Sequence, residues 1–90
     1  MMLHQTADSS REFLKIIPTL SQSYRVIAID TLGYGDSGPS TTELNVEGYS
    51  HSNIALLNKM GIEDFFILGN HTGATLAVDL AYRIGKRARG

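Results

Sequence analysis

One stretch of the sequence decides the fold, and it reads Phe65-Phe66-Ile67-Leu68-Gly69-Asn70-His71-Thr72-Gly73-Ala74. Its first four residues are apolar and rich in aromatic and β-branched types, which predicts a buried strand. Two glycines four positions apart then bracket a tight turn, where a β carbon would collide with the neighbouring backbone of strand or helix. After the turn the apolar residues follow the period of a mostly buried helix; they are Leu76, Ala77, Val78, Leu80, Ala81 and Ile84.

The turn has the frame of a nucleophile elbow, G-x-S-x-G, which exposes its middle residue at the carboxyl end of a strand. The elbow glycines are Gly69 and Gly73, and the middle residue is His71 where the frame has Ser. Histidine tolerates positive φ better than most residues, so the turn can form. Three hypotheses are open: the imidazole acts as base or nucleophile, the elbow has lost its nucleophile and the fold only binds, or Thr72 supplies the hydroxyl.

The remaining elements alternate between strand and helix. Residues 1–3 are expected to end a strand, and the spacing of Ser9 and Glu12 predicts a capping box for a helix that Pro18 limits to about two turns. The apolar face of this first helix is Phe13, Ile16, Ile17 and Leu20. Residues 24–30 form the clearest strand, with a continuous apolar run typical of a parallel sheet covered on both faces.

A second helix is predicted between Asn45 as its N-cap and Gly61 at its C′ position. Its apolar stripe holds Val46, Tyr49, Leu56 and Met60, broadened by Ile54 and Leu57. The whole order predicts an α/β protein: a parallel sheet of three strands, with three helices distributed over both faces.

The composition of the chain excludes several classes of site and partner. The chain has 90 residues, 42% hydrophobic, which indicates one small globular domain. A net charge of −1 gives no general attraction to nucleic acid or to an anionic membrane. The absence of cysteine excludes disulfides, thiolate metal sites and cysteine nucleophiles. Since neither a membrane-spanning run nor a signal peptide is visible, we expect a cytoplasmic protein without nucleic-acid or membrane partners and without a metal.

A second glycine motif competes with this interpretation. Residues 33–38 read Gly-Tyr-Gly-Asp-Ser-Gly, a literal G-x-G-x-x-G after a strand, which is the dinucleotide fingerprint. That motif requires a helix to open at its third glycine, so that N-terminal N–H groups meet the pyrophosphate. Here Pro39-Ser40-Thr41-Thr42 comes next, without apolar periodicity until Val46. We therefore expect no nucleotide cofactor.

Three blocks of the sequence resemble the α/β-hydrolase fold family. Residues 25–37 are similar to its R-V-I-A-x-D-x-x-G-x-G-x-S stretch, residues 69–74 to its elbow, and residues 3–5 to the strand end and H-G turn beside its oxyanion hole. The resemblance covers nearly the full length. It implies a single partial domain over residues 1–90, truncated at both ends, whose parent hydrolyses a small ester or a related carbonyl or carbon-linked substrate. The alternative is a catalytically silent binding module on the same fold.

The resemblance also implies roles for individual residues. His71 takes the nucleophile position, the N–H of Thr72 is one oxyanion donor, and the N–H of Gln5 or Thr6 is the second. Gln5 stands where the family has glycine. The family's acid and base come after later strands, so the 90 residues alone are expected to be inactive, and open sheet edges are expected to make them self-associate.

Other polar residues are assigned structural roles. His4 is expected to anchor a loop, and Asp30 and Asp36 to organise the loop after the second strand. The basic end of the chain, with Lys86, Arg87 and Arg89, is expected to be a frayed, solvated terminus.

Overall fold

The sheet is parallel and has the predicted three strands. The computed structural model describes residues 1–40 and 43–90, so the predicted loop positions Thr41 and Thr42 lie outside the described residues. The strands are β1 (Met2–Leu3), β2 (Ala28–Ile29) and β3 (Leu68–Gly69), in the order β2-β1-β3. Both neighbours pair with β1 in parallel, and Leu3 faces Ile29 on one side and Gly69 on the other. The carboxyl ends of all three strands therefore meet at one edge.

Each strand is shorter than the sequence predicts. Of residues 24–30 only Ala28–Ile29 pair in the ladder, and of residues 65–68 only Leu68 does, together with Gly69. Both outer strands pair with β1, which has only two residues, so each of them can pair through two residues only. Single hydrogen bonds still extend the alignment, because Met2 donates to the carbonyl of Ile27 at 2.8 Å and the ammonium of Met1 to that of Phe66 at 2.7 Å.

The helices are α1 (Ile17–Leu20), α2 (Val46–Lys59) and α3 (Thr72–Ile84), with 3-10 turns over Ser10–Phe13 and Gly85–Arg87. Among the described residues no helix is both long and apolar enough to cross a membrane.

The predicted ends of α2 are confirmed. The side chain of Asn45 accepts a hydrogen bond from the N–H of Gly48 at 2.9 Å. At the other end Gly61 has φ 70°, and the N–H of Ile62 reaches the carbonyl of Leu57 at 3.0 Å, which is a Schellman motif.

The first predicted helix is wrong in its extent. Ser9 does cap the segment, since its hydroxyl accepts from the N–H of Arg11 at 3.3 Å, but the capped segment is a single 3-10 turn and α1 is a separate helix. Pro18 lies in the first turn of α1, where its missing N–H costs nothing. The capping box does not form either, because the N–H of Ser9 donates to Asp8 at 2.9 Å and Glu12 accepts from Gln5 instead.

The core lies between the sheet and the pair α2 and α3. Leu3, Leu57 and Leu80 are fully buried there, and Met1 and Phe65 are largely buried beside them. Side chains alternate along a strand, so Met2 and Leu68 point to the opposite face. Leu20 of α1 lines a groove with them on that face. Helices thus flank both faces of the sheet, as predicted.

The buried face of α2 differs from the predicted stripe. Its buried residues are Ser50, Asn53 and Leu57, whereas Val46, Leu56 and Met60 are exposed. Polar side chains are tolerated on this face because the Ser50 hydroxyl donates to Asp79 of α3 at 2.6 Å.

Asp79 is also held within α3, where the Nε of Arg83 donates to it at 2.7 Å. The hydrogen bond from Arg83, and then that from Ser50, lower the pKa of Asp79 below its ordinary value. The predicted burial of α3 is wrong on its outer side, where Val78 is 72% exposed.

The basic end of the chain is ordered by pairing, which corrects the expectation of a frayed terminus. Phe65 donates to the carbonyl of Arg87 at 2.9 Å and accepts from the N–H of Arg89 at 2.9 Å, a parallel bridge that continues as Ile67 donates to Gly90 at 2.8 Å. This segment satisfies the free edge of the residues that lead into β3.

Candidate active site

The elbow turn is present at the carboxyl end of β3. His71 has φ 53° and ψ −117°, and it stands directly before α3. Only one other described non-glycine residue, Ala7, has positive φ. The turn closes as Gly73 donates to the carbonyl of Asn70 at 2.8 Å and Ala74 to that of His71 at 2.9 Å. His71 is therefore held at the tip in a backbone conformation that costs free energy and persists only where its surroundings impose it.

Both elbow glycines are required by close backbone approach. A β carbon on Gly69 would lie 2.3 Å from the carbonyl oxygen of Gly73, and one on Gly73 would lie 2.1 Å from that of Leu3. The first turn of α3 consequently packs directly against β1 and β3. The predicted reason for the two glycines is confirmed, and the neighbouring strand β1 is one of the obstacles.

The loop after β1 forms the opposite wall, and His4 fixes it. His4 is 3% exposed; its Nε2 accepts from the N–H of Thr31 at 3.0 Å, and its Nδ1 lies 2.7 Å from the carbonyl oxygen of Gln5. An amide only donates and a carbonyl only accepts, so the ring is neutral with its proton on Nδ1. Both ring nitrogens are engaged, and the ring edge packs on Tyr34 with centroids 5.7 Å apart. His4 therefore anchors the loop that carries Gln5 and Thr6, as expected.

The N–H groups predicted as second oxyanion donors already have acceptors. The N–H of Thr6 donates to the Thr72 hydroxyl oxygen at 2.6 Å, and the Thr6 hydroxyl donates to the same oxygen at 2.8 Å. The N–H of Gln5 points to Glu12 at the longer distance of 3.4 Å. The N–H of Thr72 stands at the first position of α3, where the helix offers no intrahelical acceptor. The structure thus brings Gln5, Thr6 and Thr72 together.

Asp30 organises the loop after β2. Its carboxylate accepts from the N–H of Asp36 at 2.8 Å and from that of Ser10 at 2.7 Å. These two backbone hydrogen bonds lower the pKa of Asp30 to about 2. Gly35 makes room for it, because a β carbon there would lie 2.3 Å from a carboxylate oxygen. Asp36 instead extends into solvent, 3.5 Å from Arg11.

The glycine motif of this loop does not open a helix. Gly33 donates to the carbonyl of Gly38 at 3.0 Å, which closes a turn, and α2 begins only at Val46. Among the described residues of this loop, the helix N-terminus that a dinucleotide site needs is therefore missing.

A cleft of about 420 Å³ lies between the loop after β1, the start of α2 and the first turns of α3. Its polar lining includes Thr6, Thr31 and Thr72. Its apolar lining, which the sequence did not identify, includes Leu44, Tyr49 and Leu76. Tyr49 could have been identified from the sequence, because it lies on the predicted apolar stripe of α2. At this residue the stripe faces the cleft.

His71 stands at the rim of this arrangement. It is exposed and is not among the residues that line the cleft. Within residues 1–40 and 43–90 its ring has no hydrogen-bond partner, and no cluster of three metal-ligating side chains is found. The described site therefore supplies an imidazole, a helix N-terminus and hydroxyl donors, and no second residue that would act on the imidazole.

Comparisons with known proteins agree on one fold. The family model described as alpha/beta hydrolase fold matches residues 1–90. A haloalkane dehalogenase of Mesorhizobium japonicum is 31% identical over 90 residues, covering 100% of this chain and 29% of that protein. A bifunctional epoxide hydrolase 2 of Rattus norvegicus is 36% identical over 76 residues, covering 81% of this chain and 14% of that protein.

A solved structure supports the same conclusion. A meta-cleavage product hydrolase from Pseudomonas fluorescens superposes with a TM-score of 0.88 at 28% identity, covering 97% of this chain and 34% of that one. The chain thus spans between 14% and 34% of these three proteins.

Proposed function

From the premise that this chain belongs to the α/β-hydrolase fold family, we propose that it carries the elbow of a hydrolase acting on a small ester or a related carbonyl or carbon-linked substrate. Its relatives include proteins named as an epoxide hydrolase and a haloalkane dehalogenase. The substrate is a small molecule, because the cleft beside the elbow has a volume of about 420 Å³.

The observation that carries this proposal is the backbone of His71. A non-glycine residue at φ 53° and ψ −117° is held between two glycines that have no room for a β carbon. Such strain concentrates at functional sites, where the surrounding structure imposes it. The position presents a side chain to a substrate at the carboxyl edge of the sheet, where ligands of open α/β sheets bind.

The proposed chemistry depends on the groups that stand at that edge. The imidazole of His71 acts as the nucleophile or as the base that activates water, both of which neutral imidazole can do near pH 7. The N–H of Thr72 donates to the oxygen on which charge develops. The remaining acid and base would come from parts of a longer protein outside residues 1–90.

A second candidate is a domain that binds a small molecule without cleaving it. Two observations favour it: the ring of His71 has no hydrogen-bond partner among the described residues, and the N–H of Thr6 is already engaged. A histidine without a residue to orient it is a weaker nucleophile or base than a member of a triad.

Hydrolysis of short-chain p-nitrophenyl esters separates the two candidates. We would compare the protein that carries this chain with its His71→Ala and His71→Ser variants, and verify folding by circular dichroism. If the wild type is active, His71→Ala is expected to lower kcat/KM by ~100-fold or more, the scale of a catalytic group.

The control is His51→Ala, which removes an exposed imidazole from α2 whose ring contact is Glu47 at 3.4 Å. It should leave the rate unchanged. A silent wild type with an active His71→Ser variant would instead assign the protein to the binding class, with the elbow intact.

A further inference from the structure

Among residues 1–40 and 43–90, the hydroxyl proton of Thr72 has no acceptor. A hydroxyl can accept two hydrogen bonds and donate one. The oxygen of Thr72 already accepts from the N–H of Thr6 at 2.6 Å and from the hydroxyl of Thr6 at 2.8 Å. Since Thr72 is the first residue of α3, no preceding helical turn offers its proton a carbonyl acceptor.

That proton is available to the cleft. Thr72 lines the cleft together with Thr6. The N–H of the same residue is also without an intrahelical acceptor, so one residue presents two adjacent donors to a ligand. The positive end of the α3 dipole favours negative charge at the same point.

We propose that the hydroxyl of Thr72, and not the N–H of Thr6, is the second donor to the substrate oxygen on which charge develops. This inference rests on the proposed hydrolase function and adds to it a residue in direct contact with substrate. The reacting oxygen accepts from the N–H and the O–H of Thr72. Both protons stay on Thr72 throughout, so the residue stabilises charge and forms no bond.

Thr6 is then a positioning residue. Its N–H and hydroxyl fix the rotamer of Thr72, and accepting two hydrogen bonds makes a hydroxyl a stronger donor through cooperative polarisation. Thr6 is itself held by the loop that His4 anchors to Thr31 at 3.0 Å. A preorganised donor in a cleft is the arrangement that lowers the cost of developing charge.

Two substitutions separate this role from a blocking role. Thr72→Ala removes the hydroxyl and frees the N–H of Thr6, whereas Thr72→Ser keeps the hydroxyl. We expect Thr72→Ala to lower kcat for p-nitrophenyl esters by at least ~10-fold, less than the ~100-fold of a lost oxyanion donor because the freed N–H substitutes in part. Thr72→Ser should recover most of that loss.

The alternatives give different results. An unchanged or faster Thr72→Ala variant would overturn the proposal, because the hydroxyl would then merely occupy the N–H of Thr6. A Thr72→Ala variant without activity above buffer, beside an active His71→Ala variant, would overturn it in favour of Thr72 as nucleophile. Thr19→Ala, an exposed threonine of α1, controls for the substitution itself.

A binding measurement keeps the inference separate from the function on which it rests. Acetate, a carboxylate probe, would be titrated while the ¹⁵N–¹H signals of the Thr72 and Thr6 amides are followed by NMR. We expect acetate to shift the Thr72 amide in the wild type and in Thr72→Ser, and to bind at least ~5-fold more weakly to Thr72→Ala. An inactive enzyme with this binding pattern would refute the hydrolase function alone. Equal binding to Thr72→Ala, or no binding at all, would refute the donor role.

Discussion

Asp30 joins its own loop to the first 3-10 turn, 20 residues earlier in the sequence. Its carboxylate accepts the N–H of Ser10, at the start of the first 3-10 turn, and that of Asp36 in the loop after β2. Because these bonds favour the charged form, its pKa falls from the ordinary 3.8 to about 2 in the folded chain. The loop that borders the cleft therefore depends on an ionised carboxylate.

This gives the first prediction in pH terms. A group with a lowered folded pKa contributes stability above its unfolded pKa and loses that contribution as pH falls to its folded pKa. The contribution of Asp30 should therefore be complete above pH 4 and vanish toward pH 2. At pH 6, Asp30→Asn should have a lower free energy of unfolding than the wild type, as measured by urea titration. At pH 3 the difference between the two proteins should be smaller.

Asp36→Asn is the matched control, because it removes a carboxylate that is largely in solvent and contacts Arg11 at 3.5 Å. It should preserve the pH dependence between pH 4 and pH 2. If Asp30→Asn lowers the free energy of unfolding by the same amount at pH 6 and pH 3, the stabilising role of the ionised Asp30 carboxylate is contradicted.

The residues of the elbow could be predicted from the sequence, whereas the hydroxyl contact beside it could not. Gly69, His71 and Gly73 act within one turn, so their spacing alone carries the geometry. Thr6 and Thr72 meet across 66 residues of sequence. Such a contact depends on how β1 and α3 pack, and no local pattern encodes it.

Arg87 connects elements at the far end of the chain. Its guanidinium donates to the carbonyls of Glu63 at 2.9 Å and Ile62 at 2.6 Å, and to the side chain of Asn58 at 2.9 Å. The guanidinium fork reaches three acceptors around the end of α2 and the segment that leads to β3, which a lysine ammonium on its flexible stem cannot match.

We expect Arg87→Lys to lower the free energy of unfolding by about 1–2 kcal/mol. This is the scale for losing hydrogen bonds from a charged donor that is itself partly solvated. The measurement is urea unfolding followed by circular dichroism. Amide exchange at Phe65 and Ile67 should accelerate as well, since both pair with the segment that Arg87 holds.

Lys86→Gln provides the control at the neighbouring position, since it removes a charge from an exposed side chain. It should leave both the stability and the exchange rates as in wild type. If Lys86→Gln lowers stability as much as Arg87→Lys, the loss would follow from any substitution in this basic segment and not from the hydrogen bonds of Arg87.

At the element scale the sequence predicted helix ends better than helix faces. Asn45 and Gly61 mark the ends of α2 because caps are local backbone chemistry. The predicted buried face was right at Leu57 and Ile54 but missed Ser50, whose hydroxyl is satisfied by Asp79, a partner on another helix. The paired end of the chain was missed for the same reason, since its acceptor is the strand segment around Phe65.

The whole molecule is asymmetric about its sheet. One face is covered by α2 and α3, while the other has a groove of about 680 Å³ bordered by α1. In that groove Phe66 is 56% exposed and Leu68 is 40% exposed, with Tyr24 packed edge-on against Phe66 at 6.0 Å. Contiguous apolar surface of this kind drives association.

This chain spans 29% of the haloalkane dehalogenase and 34% of the meta-cleavage product hydrolase, so both relatives contain further segments. Residues 1–90 prepared by themselves retain the groove and the free edge of β2. We therefore expect these residues to self-associate, with a melting temperature that rises with protein concentration.

A lysine at the groove tests this expectation directly. Phe66→Lys places a charge where another copy would pack, so it should shift sedimentation of residues 1–90 toward monomer and remove the concentration dependence of the melt. Ala55→Lys adds the same charge on the exposed side of α2 and should leave the association intact. Because Phe66 is already half exposed, its replacement leaves the core formed by Leu3, Leu57 and Leu80 in place. A wild-type chain that sediments as a monomer at all concentrations would show that α1 covers this face sufficiently by itself.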